Sequence, residues 1–256
     1  LAVNPENGCA DSTSLTVEID TASPTALAQA LDTFTCIQDS IPLSAQGSSQ
    51  GPQIIYQWID ASGSPVGAQP EIQVGTSQPY QLIVTNIGNG CRDTAQVSPP
   101  TDTLPPVAEA GADALLTCEQ DTILLEGGAS TGIDLSFLWL LGNDVVGNEA
   151  LLNASAVGAY ILQVTQNTNG CSATDTVLLS ADTSLPLLNA GPDRTITCSD
   201  TTTLLTGSGE AGLVFTWTLD GLPVGADDTL LATGPGLYIL SGTDTLSGCR
   251  DRKSVV

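Results

Sequence analysis

Cysteine is the residue type here best suited to chemistry, and there are seven. Cys36, Cys118 and Cys198 each follow a Thr, whereas Cys9, Cys91, Cys171 and Cys249 each follow a Gly. Zinc binding finds no support, because the chain has no His and no Cys-x-x-Cys. The cysteines sit in turn-like sequence rather than on apolar strand faces, which favours disulfides over buried thiols. Acidic, Thr-rich surroundings place them in an oxidising, extracellular compartment. Two pairings agree with the spacing. One is local, Cys36–Cys91, Cys118–Cys171 and Cys198–Cys249, with Cys9 left over. The other crosses the linkers, Cys9–Cys36, Cys91–Cys118 and Cys171–Cys198, with Cys249 left over. The local set is the expected one, since the alternative makes the chain fold back over each junction. Each local bridge closes a loop of roughly 50 residues and contributes about 4 kcal/mol in the chain-entropy description.

The remaining polar chemistry is carboxylate and hydroxyl. The chain of 256 residues carries 28 acidic and five basic side chains, a net charge of −23. It would repel phosphate, which excludes nucleic acid and anionic membrane as partners. Histidine-based catalysis and metal ligation are excluded outright, and Ser and Thr have no base of suitable type beside them. Asp20, Asp102 and Asp182 recur at one linker position, with Asp113 and Asp193 shortly after. They are the candidate Ca2+ ligands at repeat junctions, but lack the dense Asp-x-Asp spacing of known loops. A solvated acidic surface that keeps an extended array soluble is the better account of them.

These groups are positioned by an internal repeat of about 80 residues. Seven residues after each Thr-linked Cys stands Leu43, Leu125 or Leu205. An aromatic-x-Trp follows: Tyr56 and Trp58, Phe137 and Trp139, Phe215 and Trp217. Gly67, Gly147 and Gly225 come next, then Tyr80-x-Leu82, Tyr160-x-Leu162 and Tyr238-x-Leu240. Eleven residues after each Tyr stands the Gly-linked Cys. Apolar residues alternate with period two, as in Leu213, Phe215, Trp217 and Leu219, which denotes strands. About seven short strands per repeat, with Gly-Ser and Asn-Gly turns between, make a β-sandwich with each Trp between two sheets. Nine of the ten aromatic residues occupy repeat positions and read as core, all but Phe34. That argues against a sugar-binding module built on exposed rings.

The boundaries fall in Pro-containing linkers. Residues 1–23 form the end of an incomplete repeat, 24–105 and 106–185 full ones, and 186–256 one nearly complete. Leu1 and Val3 match Leu82 and Val84, with one residue fewer before Gly8-Cys9. Leu1, Val3, Leu15, Val17 and Ile19 then need strands from elsewhere, upstream or on another chain. The start at Leu1 rather than Met reads as a processed or excised segment.

Ala190-Gly191-Pro192-Asp193 through Thr197-Cys198, then Phe215-x-Trp217, Gly236-x-Tyr238 and Gly248-Cys249, resemble the PKD-like and Ig-like tandem repeats of large secreted surface proteins of Bacteroidota. The resemblance covers nearly the whole chain. It implies an all-β array of Ig-like/PKD-like β-sandwiches in proteins tied to gliding and adhesion. One feature departs from immunoglobulins: Cys118 lies 21 residues before Trp139, too early for the strand that carries their buried bridge. The function expected is a non-enzymatic structural segment of an extracellular fibre or adhesin stalk, whose partners are neighbouring repeats and surface glycans. The rivals are a carbohydrate-binding module of a secreted enzyme and, more remotely, a carboxylate glycosidase. Asp-Thr or Asp-Ser before a small or apolar residue looks like the Bacteroidota O-glycosylation acceptor. It marks Thr21, Ser40, Thr94, Thr103, Thr122, Thr176, Thr229 and Thr245 as modification sites. Reduction is expected to harm the array more than trypsin, for which only Arg92, Arg194, Arg250, Arg252 and Lys253 offer sites.

Overall fold

A computed structural model describes residues 2–256. Among them there is no α-helix, and so no helix long and apolar enough to cross a membrane. The chain divides into two compact units. The first comprises residues 1–104 with the hairpin tip Asn169–Cys171, and the second comprises 105–168 and 172–256.

The first unit holds one sandwich. One sheet has the strand order Arg92–Val97, Tyr80–Asn86, Ile54–Ile59, Pro65–Gly67. The facing sheet is Gln29–Ala30, Ile41–Ser44, Glu71–Val74. All these pairings are antiparallel, the arrangement of an Ig-like sandwich. The alternation read from sequence is what closes it. Trp58, Leu82, Val84, Ile41 and Leu43 face inward and are fully buried, together with Tyr80.

The second unit repeats this twice. Leu135–Leu141 pairs with Gly158–Gln166, which pairs with Ser172–Asp182. Leu213–Leu219 pairs with Tyr238–Asp244, which pairs with Arg250–Val255. Separate cores form around Trp139 and Trp217. Each Trp lies opposite its glycine, Trp58 to Gly67, Trp139 to Gly147 and Trp217 to Gly225, and a bulge follows it. A side chain at Gly147 would meet Leu152 Cδ1 at 2.9 Å, so the close approach requires glycine. The Tyr hydroxyls of Tyr160 and Tyr238 donate to the carbonyls of Ala156 and Gly234, each at 2.9 Å. Tyr80 donates likewise to Thr76 at 3.2 Å, so each sandwich has a tyrosine corner.

Two short parallel pairings stand apart from this antiparallel framework. Phe34–Thr35 runs parallel to Thr101–Asp102, with Thr35 opposite Asp102. Ala114–Thr117 runs parallel to the end of Ser172–Asp182, with Thr117 opposite Asp182. Each of these Thr-Cys turns thus lies where its sandwich's last strand ends.

At the start of the chain, Ala2–Val3 pairs with Ala10–Asp11. The Asn4 N–H donates to the Cys9 carbonyl at 2.8 Å, as Asn86 does to Cys91 at 2.9 Å. Asn4 therefore corresponds to Asn86, and Val3 to Thr85 rather than Val84. The supposed missing residue disappears, and Val3 falls on the other face of the strand. Leu1 lies outside the described residues. Leu15, Val17 and Ile19 lie in no strand and are exposed.

Candidate functional site

The chemistry of the chain is concentrated in two disulfides. Cys36 bonds Cys171, and Cys118 bonds Cys249, each with Cα atoms 5.0 Å apart. Cys9, Cys91 and Cys198 are free thiols. The expected local bridges Cys36–Cys91, Cys118–Cys171 and Cys198–Cys249 do not form, and neither does the linker-crossing set. The parallel pairing gives the reason. Thr35 lies beside Asp102, and Cys91 is eleven residues back along the chain, beyond the strand Arg92–Val97, about 36 Å if extended at about 3.3 Å per residue. A disulfide needs Cα atoms within about 7 Å. Cys118 and Cys171 are separated in the same way, because Thr117 lies beside Asp182. Each bond instead joins the Thr-Cys turn of one repeat to the Gly-Cys hairpin tip of the next.

Both halves of this staple are built by local hydrogen bonding. In the turn, the Thr35 hydroxyl accepts the Gln38 N–H at 3.1 Å, and Thr35 N–H donates to the Gln38 carbonyl at 3.2 Å. Thr117 with Gln120, and Thr197 with Asp200, make the same pair. In the hairpin tip, Asn169 is fully buried. Its Oδ1 accepts the Cys171 N–H at 2.9 Å, while Nδ2 donates to Asp102 Oδ1 at 2.9 Å and the Leu104 carbonyl at 3.0 Å. Asn89 does the same for Cys91 and the Ala22 carbonyl. Ser247 replaces Asn in the third repeat and accepts the Cys249 N–H at 3.3 Å.

The halves meet through one further hydrogen bond and one steric fit. Cys36 N–H donates to the Asn169 carbonyl at 3.1 Å, and Cys118 N–H to the Ser247 carbonyl at 3.0 Å. Ile37 lies over Gly170 and Glu119 over Gly248, where any side chain would collide. Both glycines have positive φ, 69° in each case, so the Gly before each hairpin Cys has two reasons to be there. Asn169 was not legible as a functional residue. Its signal was the recurring Asn-Gly-Cys at Asn7, Asn89 and Asn169. Replacing Asn169 by Ala removes the partners of the Leu104 carbonyl and the Cys171 N–H. It is expected to cost about 1–3 kcal/mol, read from a denaturant titration.

The carboxylates are engaged mainly by backbone. Asp93 Oδ2 accepts Ala26 N–H at 2.8 Å and Asp175 Oδ2 accepts Ala110 N–H at 2.7 Å, fastening the segment that leads into each first strand. Asp113 and Asp193 accept from the amides of Leu178, on the strand Ser172–Asp182, and of Val256, just past the strand Arg250–Val255, at 2.8 and 2.9 Å. Asp20 and Asp182 cap the amides of Ala22 and Ser184. Among the described residues no three His, Cys, Asp or Glu side chains converge as a metal site. Hydrogen bonds from the Ser247 and Leu246 amides hold the Asp244 carboxyl below its usual range. That contribution is present above the ordinary carboxylate pKa and is lost as pH falls through the lowered value. A cleft of about 240 Å³ beside Arg194, Leu205, Tyr238 and Val256 is lined by no Asp or Glu side chain. None of the ten aromatic side chains is exposed, Phe34 included. All eight Thr and Ser acceptors are exposed. Thr94 and Thr176 stand within strands rather than at the turns or strand starts the motif suggested.

No protein-family model matches the chain. It is 28% identical over 266 residues to the dyslexia-associated protein KIAA0319-like protein of Mus musculus, covering 90% of this chain and 25% of that protein. The chain thus spans a quarter of the length of that curated relative. Among solved structures, it is similar to the three N-terminal domains of the bacteriophage RB49 outer capsid protein Hoc, with 12% identity, a TM-score of 0.39, and coverage of 91% of this chain and 97% of that one. An I-band fragment of titin gives 12% identity, a TM-score of 0.39, and coverage of 93% and 99%.

Proposed function

We propose that the chain is a load-bearing structural segment of an extracellular repeat array, a spacer that carries an adhesive or surface function rather than a catalyst. The observation that supports this reading is the order of the bonded cysteines. Cys36–Cys171 and Cys118–Cys249 overlap in sequence, so the second loop begins inside the first. A pull between the chain ends passes along residues 1–36, through the first bond, back from 171 to 118, and through the second bond to 249. Only roughly 100 residues bear the load, ~350 Å when fully extended. The sulfur bonds shield the rest. Such a tether keeps its length when the first or the third sandwich opens, since the load bypasses residues 37–117 and 172–248. The acidic, solvated surface suits an array that stays extended and does not associate sideways. Extracellular placement rests on the disulfides themselves.

Single-molecule stretching of the oxidised chain is expected to end near ~350 Å, and after reduction near ~900 Å. An oxidised chain that extends to the reduced length would overturn the load-bearing reading. The rival binding module is not supported by a stacking platform, since all ten rings lie in or against the three cores. The resemblance to Bacteroidota repeats rests on the quoted motifs alone; the curated relative is a mouse protein.

O-glycans on Thr21, Ser40, Thr94, Thr103, Thr122, Thr176, Thr229 and Thr245 form part of the same proposal. Exposure of all eight supports it. Thr94 also lies on the edge strand of its sheet, where a glycan would block lateral pairing. Peptide mass spectrometry of protein from its native source is expected to find hexose-containing adducts at Thr94, Thr176 and Thr245. Unmodified peptides at all three would remove glycosylation from the account.

A further inference from the structure

The two staples are asymmetric in the same way. Each joins a turn cysteine at the surface to a hairpin cysteine in the interior. Cys36 and Cys118 are exposed, whereas Cys171 is 1% exposed and Cys249 0%. The hairpin sulfurs are closed off within their own tips, where Asn169 and Ser247 are buried too. Disulfide exchange needs a thiolate to reach one of the two sulfurs, and access decides which. Only the turn sulfurs offer that access.

The two loops also overlap, so the slack that each bond holds depends on the other. With Cys36–Cys171 open and Cys118–Cys249 closed, residues 37–117 enter the path between the chain ends and 119–171 leave it. With only Cys118–Cys249 open, 172–248 enter and 118–170 leave. Either opening alone lengthens the path by roughly 80–100 Å at full extension, and opening the remaining bond adds roughly 460 Å more. These lengths are set by the four bonded positions alone.

We infer that the two staples form a two-stage redox latch, opened by small thiols at Cys36 and Cys118, in which each bond holds back most of the slack when the other is cut. The first thiolate attacks Cys36 Sγ and forms a mixed disulfide there. Cys171 is expelled as a thiolate and takes up a proton. A second small thiol attacks its like in the mixed disulfide, releases Cys36 as a thiol, and leaves as the symmetrical small disulfide. Cys118 and Cys249 react in the same order. The joint outlasts its bond when no load is applied. Cys36 N–H keeps the Asn169 carbonyl and Ile37 stays over Gly170, so the sulfurs remain within reach and the bond re-forms once the thiol is withdrawn.

The step lengths rest on the load-bearing reading, whereas the site of attack is read without load, so the two can fail separately. The oxidised chain, with Cys9, Cys91 and Cys198 first blocked by iodoacetamide, is treated with reduced glutathione under native conditions. The reaction is quenched with acid, new thiols are trapped with N-ethylmaleimide, and the peptides are mapped. Glutathione is expected on Cys36 and Cys118, with maleimide on Cys171 and Cys249. Glutathione on Cys171 or Cys249 in equal yield, or on none of the four, would overturn the inference. The same blocked chain, held in glutathione at a force that unfolds the sandwiches, is expected to lengthen in two unequal steps, roughly 80–100 Å and then roughly 460 Å. A single step, two equal steps, or the larger step first would overturn the latch. An oxidised chain already at its reduced length before glutathione is added would instead refute the load-bearing reading and leave the map of attacked sulfurs standing.

Discussion

Replacing Trp139 by Ala is expected to destabilise the middle sandwich by about 3–5 kcal/mol. The side chain is fully buried, and its Nε1 donates to the Glu149 carbonyl at 3.0 Å. Gly127 and Gly147 let the backbone close on the ring, so the surroundings have little freedom to collapse into the cavity. The loss should appear in a denaturant titration as an early transition of one sandwich, with the first unit unaffected. A loss under about 1 kcal/mol would mean that the ring is not the centre of that core.

Removing the second staple is the other large effect. The double variant Cys118→Ser, Cys249→Ser opens a loop with ends 131 residues apart. The chain-entropy description assigns such a loop about 4–5 kcal/mol. At about 4 °C or more per kcal/mol for a domain of this size, the thermal midpoint should fall by at least ~15 °C. Cys91→Ser removes a thiol that is free in this structure, and monomeric protein carrying it should melt as the parent does. A double variant that melts with the parent would show that the bond constrains nothing in the unfolded chain.

The sequence and the structure agree where burial decides the outcome. The alternation of Leu213, Phe215 and Trp217 predicts an inward-facing strand, and Leu213–Leu219 is one. Trp58, Trp139 and Trp217 fill the three cores as their repeat positions imply. They part where two distant segments lie side by side. Spacing along the chain does not say at which end of a sandwich a turn sits. That depends on the parallel pairing of Ala114–Thr117 with the end of Ser172–Asp182, a contact between segments far apart in sequence that no local pattern marks. The same limit hid the role of Asp93 and Asp175. As sequence they belong to a modification motif; in the fold their carboxylates fasten the segments that lead into the first strands, through Ala26 and Ala110. Phe34 fell outside the repeat pattern, yet it is buried, on the short strand opposite Thr101.

The pairing of the cysteines is the claim on which the rest depends. It is tested most directly by digesting the unreduced chain with a protease that cuts at acidic residues and identifying the linked peptides. Peptides joining Cys36 to Cys171 and Cys118 to Cys249 are the expected result. Peptides joining Cys36 to Cys91, or Cys118 to Cys171, would contradict the staples and the load path drawn through them.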